Sequence, residues 1–255
     1  MKITRAVVPS LFTVLNMFSG FMSILHASHG EFIAASWFIA LAAGFDALDG
    51  VMARITKSSS QFGVEIDSLS DVVSFGAAPA FLVHQMDLHR LEGVGVVVSS
   101  LLMVFAGLRL ARFNSQLKGF DKPYFVGLPV PMSALTIATY TLNFFSYETG
   151  LSPQAAPFLP WLSAALGLLM VSKIRYNTLP KPSVAIVRKH PLGTVAAVAA
   201  IVAIAWTGGK ALLPLLLGVI LFGVVRYIVE FIRRIRTSGE EYDDPDVAES
   251  GQIDR

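Results

Sequence analysis

The stretch that decides the fold is FDALDGVMARITKSSSQFGVEIDSLSD, residues 45–71, which joins two long apolar runs through a segment rich in aspartate. Its four aspartates are Asp46, Asp49, Asp67 and Asp71. A carboxylate within a bilayer is costly, and four close together are more so. The rest of the sequence therefore has to explain what compensates these charges.

The composition is that of an integral membrane protein. The 255 residues are 54% hydrophobic and only 15% charged, with a mean hydropathy of +0.61, whereas soluble domains carry roughly 25% charged residues. The chain has no cysteine, which excludes disulfides, thiolate nucleophiles and zinc–thiolate sites. No nucleic-acid partner is expected.

Apolar runs of about 17–25 residues predict an all-α, polytopic protein with eight transmembrane helices. They lie near 9–28, 32–54, 64–86, 93–113, 127–146, 156–172, 193–208 and 211–232. The first follows Lys2 and Arg5 without a convincing cleavage site, so we expect it to be retained rather than removed as a signal peptide. The acidic, polar residues 237–255 predict a disordered tail.

The basic residues predict the orientation of these helices. If the N-terminus is cytoplasmic and eight helices alternate, every Lys and Arg except Arg90 and Lys210 falls on the cytoplasmic side. This distribution obeys the positive-inside rule, and an odd number of helices would disturb it. Both termini and the 45–71 stretch are therefore expected at the cytoplasmic face.

Helical spacing gathers the aspartates onto two stripes. On the second predicted helix one face carries Asp46, Asp49, Gly50 and Ala53, at i, i+3, i+4 and i+7, with Arg54 beside it. On the third predicted helix one face carries Gly63, Asp67 and Asp71, at i, i+4 and i+8. The short link between the helices makes them antiparallel neighbours, so all four carboxylates are expected to converge near the membrane surface.

Four converging carboxylates require a cation, because at short range each repulsive pair costs several kcal/mol. Oxygen ligands suit a hard divalent ion such as Mg²⁺, Mn²⁺ or Ca²⁺ rather than zinc, and magnesium often completes its shell with substrate phosphates. The small residues on the same faces leave room for such a ligand. A turn at Asp49-Gly50, a cap at Gly63 or solvated helix ends would explain single residues, but not both stripes.

The spacing as a whole resembles the signature of the CDP-alcohol phosphotransferase family. It reads Asp46-x2-Asp49-Gly50-x2-Ala53-Arg54-x8-Gly63-x3-Asp67-x3-Asp71. Members of that family are integral membrane enzymes in which an alcohol displaces CMP from a CDP-linked donor. The resemblance implies a core of six transmembrane helices and a homodimer.

Other motifs resemble the bacterial and archaeal phosphatidylserine synthases within that family. They are PSLFTVLNMFSGF (9–21), EIDSLSDVVSFGAAPA (65–80), RLARFN (109–114), GLPVP (127–131) and VSKIRY (171–176). The resemblance implies transfer of the phosphatidyl group of CDP-diacylglycerol to L-serine, in the cytoplasmic membrane and on its cytoplasmic face. It implies a catalytic domain over 1–180, which leaves a helix pair in 181–236 and the tail.

The resemblance also implies residue roles. Asp46, Asp49, Asp67 and Asp71 would share two Mg²⁺ or Mn²⁺ ions, a site that Ca²⁺ can also occupy, with Asp71 as general base. The CDP moiety would be held by Gly50, Ala53, Arg54 and Gly63.

Candidate serine-binding residues are Arg109, Arg112 and Asn114, since a serine site needs a cation for the carboxylate and acceptors for the ammonium. Alternatively, the two arginines anchor the helix to lipid phosphates. For Ser68, Ser70 and Ser74, helix packing and substrate binding both stay open.

Two other functions remain as alternatives. A phosphorylated acceptor, glycerol 3-phosphate or an inositol phosphate, would need a denser basic pocket, which Arg109, Arg112, Lys118 and Lys122 could supply. A divalent-cation transporter would use the aspartates as a transit site, and it would be expected to place them near the bilayer midplane.

Overall fold

The computed structural model describes residues 7–56, 61–116, 124–177, 207 and 209–240. The α-helices are α1 Val7–Ser28, α2 Phe32–Thr56, α3 Gln61–Asp71, α4 Ala78–Met86, α5 Glu92–Gln116, α6 Val130–Phe144, α7 Leu159–Val171 and α8 Leu212–Glu240. A π-helical segment, Val72–Ala77, joins α3 to α4, and 3₁₀ turns lie at Leu88–Leu91 and Ala156–Phe158.

The structure confirms an all-α, polytopic membrane protein. Five helical segments are long and apolar enough to cross a bilayer: Leu11–Ser28, Phe32–Met52, Gln61–Met86, Leu88–Ser115 and Leu212–Arg233. A shorter apolar helix covers Ala156–Val171. Most of the predicted helices agree with the structure to within a few residues.

Helix α6 is shorter than the predicted span 127–146, because residues 127–129 lie in a turn before it and Phe145–Ser146 form a short strand after it. The strands are β1 Tyr124–Val126, β2 Phe145–Ser146, β3 Gly150–Leu151 and β4 Arg175–Asn177, with β1 antiparallel to β4 and β2 antiparallel to β3. Gly127, at φ +83°, makes the turn from β1 towards α6. A Cβ there would lie 2.1 Å from the carbonyl oxygen of Met170, so only glycine fits this approach.

The core lies between the π-helical segment, α4, α5 and α6. Its largest fully buried side chains include Phe75, Leu82, Leu102 and Ile137. Helix α6 is buried along most of its length. Because protein rather than lipid surrounds α6, its 15 residues need not match the thickness of the hydrocarbon layer.

The helices have two distinct ends, which we call the aspartate end and the far end. Turns at 29–31, 87–91, 145–151 and 209–211 lie at the far end. There Asn143 Nδ2 donates to the carbonyl oxygen of Lys210 (3.1 Å), and Gly209 packs against the ring of Trp37. The β1–β4 pair follows α5 and α7 at the aspartate end.

Two sequence predictions fall on residues that the structure does not fully cover. The predicted seventh helix, 193–208, lies outside the described residues except for Thr207. Helix α8 continues to Glu240, past the predicted start of the tail at 237, and the tail itself stays a prediction. Residues 241–255 lie outside the described residues.

Candidate metal centre

Three of the predicted carboxylates form one group. Asp46 projects from α2, Asp67 from α3, and Asp71 from the last position of α3. One carboxylate oxygen from each lies within 4.8 Å of the others. Asp71 is buried, and the other two are partly exposed. The predicted helical stripes therefore do bring acidic groups from two helices to one place.

The fourth carboxylate, Asp49, lies beside this group rather than in it. It interacts electrostatically with Asp46 and Asp67, but its Oδ2 accepts a hydrogen bond from the hydroxyl of Thr13 on α1. Of the four aspartates predicted to converge, three therefore form one close group, and Asp49 lies next to it. The hydrogen bond to α1 explains why Asp49 faces a different neighbour.

Three further hydrogen bonds join α1 to α3 and to the π-helical segment Val72–Ala77. Asn16 Nδ2 donates to Asp71 Oδ1 (3.4 Å). The hydroxyl of Ser70 donates to the carbonyl oxygen of Thr13 (3.0 Å), and that of Ser74 donates to the carbonyl oxygen of Asn16 (2.8 Å). Asp71 is thus fixed from α1, and Ser70 and Ser74 serve helix packing, one of the two roles considered for them.

The sequence motifs assign no role to Thr13 or Asn16. A signal was present, because α1 carries Thr13, Asn16, Ser19 and Ser23 at helical spacing, and all four are buried. Polar side chains that repeat along one face of an apolar helix indicate a face turned towards the protein interior. That pattern identifies the face, but it does not identify the aspartate that each residue meets.

A π-helical segment begins immediately after Asp71. The sequence predicted one continuous helix over 64–86, because hydrophobic periodicity does not reveal a single wide turn. Such turns occur frequently at functional sites. Here the segment buries Ser74 and Phe75 directly beside the three-carboxylate group.

The structure separates the three residues expected to bind serine. Arg109 is only 9% exposed and interacts electrostatically with Asp71. Its Nε has no hydrogen-bond partner among the residues that the structure describes. Arg109 therefore faces the carboxylates, which a lipid anchor would not do.

The other two candidates are engaged elsewhere. Arg112 is exposed, and its Nη1 donates to the carbonyl oxygen of Val171 at the end of α7 (3.1 Å). Asn114 Nδ2 donates to the hydroxyl of Ser68 on α3 (2.8 Å), and that hydroxyl donates to the carbonyl oxygen of Val64 (3.0 Å). The hydrogen bonds of Arg112 and Asn114 link helices at the aspartate end.

The residues expected to hold the CDP moiety lie on the helices predicted for them. Gly50, Ala53 and Arg54 follow Asp46 along α2, and Gly63 precedes Asp67 on α3. A Cβ added to Gly50 would meet nothing within 4 Å, so helix packing does not require glycine there. The side chains of Ala53 and Arg54, and all of Lys118 and Lys122, lie outside the described part of the chain.

The donor set fits a hard divalent cation. It consists of carboxylate oxygens from three residues at a spacing that one ion can span. A buried amide oxygen, Asn16 Oδ1, lies on the residue bonded to Asp71 and has no partner among the described residues. Nitrogen and sulfur ligands, which zinc and copper prefer, are missing from this group.

Comparison with known proteins places this sequence in a family. Residues 6–169 match the sequence model of the family described as CDP-alcohol phosphatidyltransferase. A CDP-diacylglycerol–serine O-phosphatidyltransferase of Helicobacter pylori is 38% identical over 175 residues, covering 68% of this chain and 73% of that protein. An archaetidylserine synthase of Methanothermobacter thermautotrophicus is 38% identical over 178 residues, covering 69% and 72%.

A further relative is a CDP-diacylglycerol–serine O-phosphatidyltransferase of Methanocaldococcus jannaschii, 37% identical over 170 residues, covering 66% of this chain and 72% of that protein. The part of the chain that matches the family model includes α1 to α7 almost entirely and all four aspartates. The chain therefore belongs to the CDP-alcohol phosphatidyltransferase family, as its aspartate signature predicted.

Proposed function

We propose that this protein transfers the phosphatidyl group of CDP-diacylglycerol to the hydroxyl of L-serine and releases CMP. The observation that carries the proposal is the group formed by Asp46, Asp67 and Asp71, in a membrane protein of this family. The names of the three relatives support serine as the acceptor, because each contains serine in its substrate or its product.

The aspartates are proposed to bind divalent metal, Mg²⁺ or Mn²⁺. Enzymes of this family depend on divalent metal, and three carboxylates would otherwise repel one another in a poorly solvated interior. Asp46, Asp67 and Asp71 supply the ligands that lie together, and Asp49, which interacts electrostatically with Asp46 and Asp67, is proposed to join them. When bound, the metal neutralises the diphosphate and the charge that develops on the transferring phosphoryl group.

Asp71 is the proposed general base. Transfer forms a bond from the serine oxygen to the phosphorus of the phosphatidyl group and breaks the bond from that phosphorus to the departing CMP oxygen. The hydroxyl proton passes to a carboxylate, and Asp71 is the buried carboxylate held in place by Asn16. A fixed base beside a weak nucleophile is the usual requirement for such a step.

The CDP moiety is proposed to lie along the aspartate-bearing face of α2. Open space above Gly50 supports this position, and Arg54 follows one turn later on the same helix. A nucleotide diphosphate on this face would have its phosphates near Asp46 and Asp49, where a metal held by the aspartates would neutralise their charge.

Arg109 is proposed to bind the serine carboxylate. It is a buried cation beside Asp71, so a negatively charged group there would be stabilised by an interaction that water screens weakly. Arg109 interacts electrostatically with Asp71, whereas Arg112 donates a hydrogen bond to α7. A guanidinium binds a carboxylate through two parallel hydrogen bonds, which suits the carboxylate of serine.

The proposed orientation places the aspartate end at the cytoplasmic face of the cell membrane, with both termini on that side. The distribution of basic residues supports this orientation. The homodimer implied by the family resemblance stays a prediction.

The proposal is tested by CMP release from purified protein given CDP-diacylglycerol and Mg²⁺ or Mn²⁺. L-serine, glycerol 3-phosphate and inositol phosphate are compared as acceptors. We expect metal-dependent release with serine alone, and a loss of at least about 100-fold in Asp71→Asn, because general-base catalysis typically contributes 10²–10⁴-fold.

The matched control is Glu65→Gln. It removes one negative charge from an exposed position of the same helix, and it should keep full activity. Release driven by another acceptor would retain the family chemistry and replace serine. Metal binding without release for any acceptor would favour the transporter, which metal flux into proteoliposomes would then show.

A further inference from the structure

Two buried polar atoms without partners lie on residues that interact with Asp71: Asn16 of α1 through a hydrogen bond, and Arg109 of α5 electrostatically. Asn16 is fully buried on α1, and its Oδ1 has no hydrogen-bond partner. Arg109 is nine-tenths buried on α5, and its Nε has none either. Both statements hold among the residues that the structure describes. Interior polar atoms are almost always paired, so two exceptions around one carboxylate need an explanation.

The two atoms have opposite hydrogen-bonding character. An amide oxygen only accepts hydrogen bonds, and a guanidinium only donates them. Asn16 Nδ2 already donates to Asp71 Oδ1, which directs the amide oxygen away from that carboxylate. Asp71 therefore interacts with one residue that has an unused acceptor and with one that has an unused, positively charged donor.

This arrangement is complementary to an amino acid that carries a hydroxyl. Serine presents an ammonium that only donates, a carboxylate that only accepts, and a hydroxyl that loses its proton, all on adjacent carbons. Three groups so close together have to be recognised by residues clustered around one point. Asn16, Arg109 and Asp71 form such a cluster, because the first two each interact with the third.

We propose that Asn16 is a specificity residue whose Oδ1 accepts a hydrogen bond from the ammonium of the acceptor, while Arg109 binds its carboxylate and Asp71 its hydroxyl. The assignment rests on the proposed function, and it adds the residue that distinguishes an amino acid from other alcohols. Binding of the acceptor satisfies both unpaired atoms, whereas an alcohol without the ammonium leaves Asn16 Oδ1 unpaired. A site with an unsatisfied buried polar group discriminates against the ligand that fails to pair it.

The two arms of this recognition can be separated with two analogues of serine. Ethanolamine is serine without the carboxylate, and 3-hydroxypropionate is serine without the ammonium. We compare kcat/KM for L-serine and both analogues in wild type, Asn16→Leu and Arg109→Met. Because each ratio between acceptors is measured within one preparation, the folded fraction and any general effect on Asp71 cancel.

A crossed pattern is expected. Asn16→Leu lowers kcat/KM for serine and ethanolamine by about 10- to 100-fold relative to 3-hydroxypropionate, which is the range for one hydrogen bond to a charged group. Arg109→Met lowers the values for serine and 3-hydroxypropionate relative to ethanolamine. Analogues that release too little CMP are compared through their inhibition constants against serine.

The control is Ser23→Ala on the same helix. Ser23 is also fully buried, and its hydroxyl also lacks a partner among the described residues, but it lies two turns from Asn16. Its loss should leave all acceptor ratios unchanged. An equal decrease for every acceptor in Asn16→Leu would overturn the assignment and show that Asn16 acts only by positioning Asp71.

Asn16→Ala provides a second variant without added bulk, for use if the leucine variant has no activity with any acceptor. Acceptor ratios equal to those of wild type would overturn the assignment in this variant too. If wild-type protein releases no CMP with serine, the proposed function itself fails. If serine is used but the crossed pattern is missing, only the role of Asn16 fails.

Discussion

Glycines near the site serve two different purposes, which the space around each of them distinguishes. A Cβ at Gly20 on α1 would lie 2.6 Å from the Cα of Ser74, so packing against the π-helical segment requires glycine. A Cβ at Gly50 or at Gly44, both on α2, would meet nothing within 4 Å. Packing therefore does not explain Gly50, whereas a ligand approaching the backbone would.

Replacing Gly50 by alanine should separate binding from stability. A helix-interior glycine costs roughly 0.5–1 kcal/mol relative to alanine, so Gly50→Ala should not lower the melting temperature of the purified protein. If the CDP moiety lies against this position, the added methyl group should raise KM for CDP-diacylglycerol or lower kcat, by about 10-fold or more.

The matched control is Gly44→Ala, which adds the same methyl group to the same helix in equally open space. It should keep both stability and activity. Full activity in Gly50→Ala, measured by CMP release at low CDP-diacylglycerol concentration, would contradict the proposed position of the nucleotide.

At the residue scale, the sequence predicted the acidic stripes but not their neighbours. Asp46, Asp67 and Asp71 follow from helical spacing alone, because residues of one helix at i and i+4 share a face. The partner of Asp71 is Asn16, 55 positions earlier, and no local pattern encodes such a contact. Likewise, Arg109 and Arg112 have the same side chain and lie close to the same face of α5. Only the packing of the helices shows that Arg109 is buried and Arg112 is exposed.

At the scale of elements, α1 and the π-helical segment act as one unit that holds Asp71. Ser70 and Ser74 bond carbonyl oxygens of α1, and Gly20 allows the two backbones to approach closely. The sequence predicted α1 and the helical span from α3 to α4 with nearly correct ends. It predicted neither the π-helical segment between α3 and α4 nor the two strand pairs. These features depend on tertiary contacts, such as the bond from Gly127 N–H to the carbonyl oxygen of Ile174 (2.8 Å), rather than on periodicity.

Separating these two elements should damage both stability and activity. In Gly20→Ala the new methyl group would overlap the backbone of Ser74, which cannot move as a flexible side chain could. Overpacking of this kind typically costs 1–3 kcal/mol, so we expect a lower melting temperature in detergent. Because α1 also carries Asn16, CMP release should fall further than the loss of folded protein explains.

Gly107→Ala is the control, since a Cβ at that position of α5 would meet nothing within 4 Å. It should leave stability and activity close to wild type. Wild-type stability in Gly20→Ala would show that the close approach of α1 to the π-helical segment is not required.

At the scale of the whole molecule, the aspartate end and the far end differ in the charged groups that they carry. The aspartate end carries the carboxylate group, and the predicted topology places most of the basic residues on the same side. The far end carries an ion pair between Arg90 and Asp87 (2.9 Å) and a contact between His26 and Glu31. A single charge asymmetry therefore predicts both the orientation and the side from which soluble substrates enter.

The orientation can be measured directly, because the chain has no cysteine and any introduced cysteine is the only one. Ser115→Cys places an exposed thiol near the end of α5, at the aspartate end, and Glu148→Cys places one in the β2–β3 turn at the far end.

Cells that produce either variant are treated with a membrane-impermeant maleimide, either intact or after permeabilisation. We expect Glu148→Cys to react in intact cells and Ser115→Cys only after permeabilisation, because the positive-inside rule places the basic end in the cytoplasm. CMP release by both variants verifies that they are folded, and the reverse labelling pattern would place the aspartates on the outer face, where cytoplasmic serine could not reach them directly.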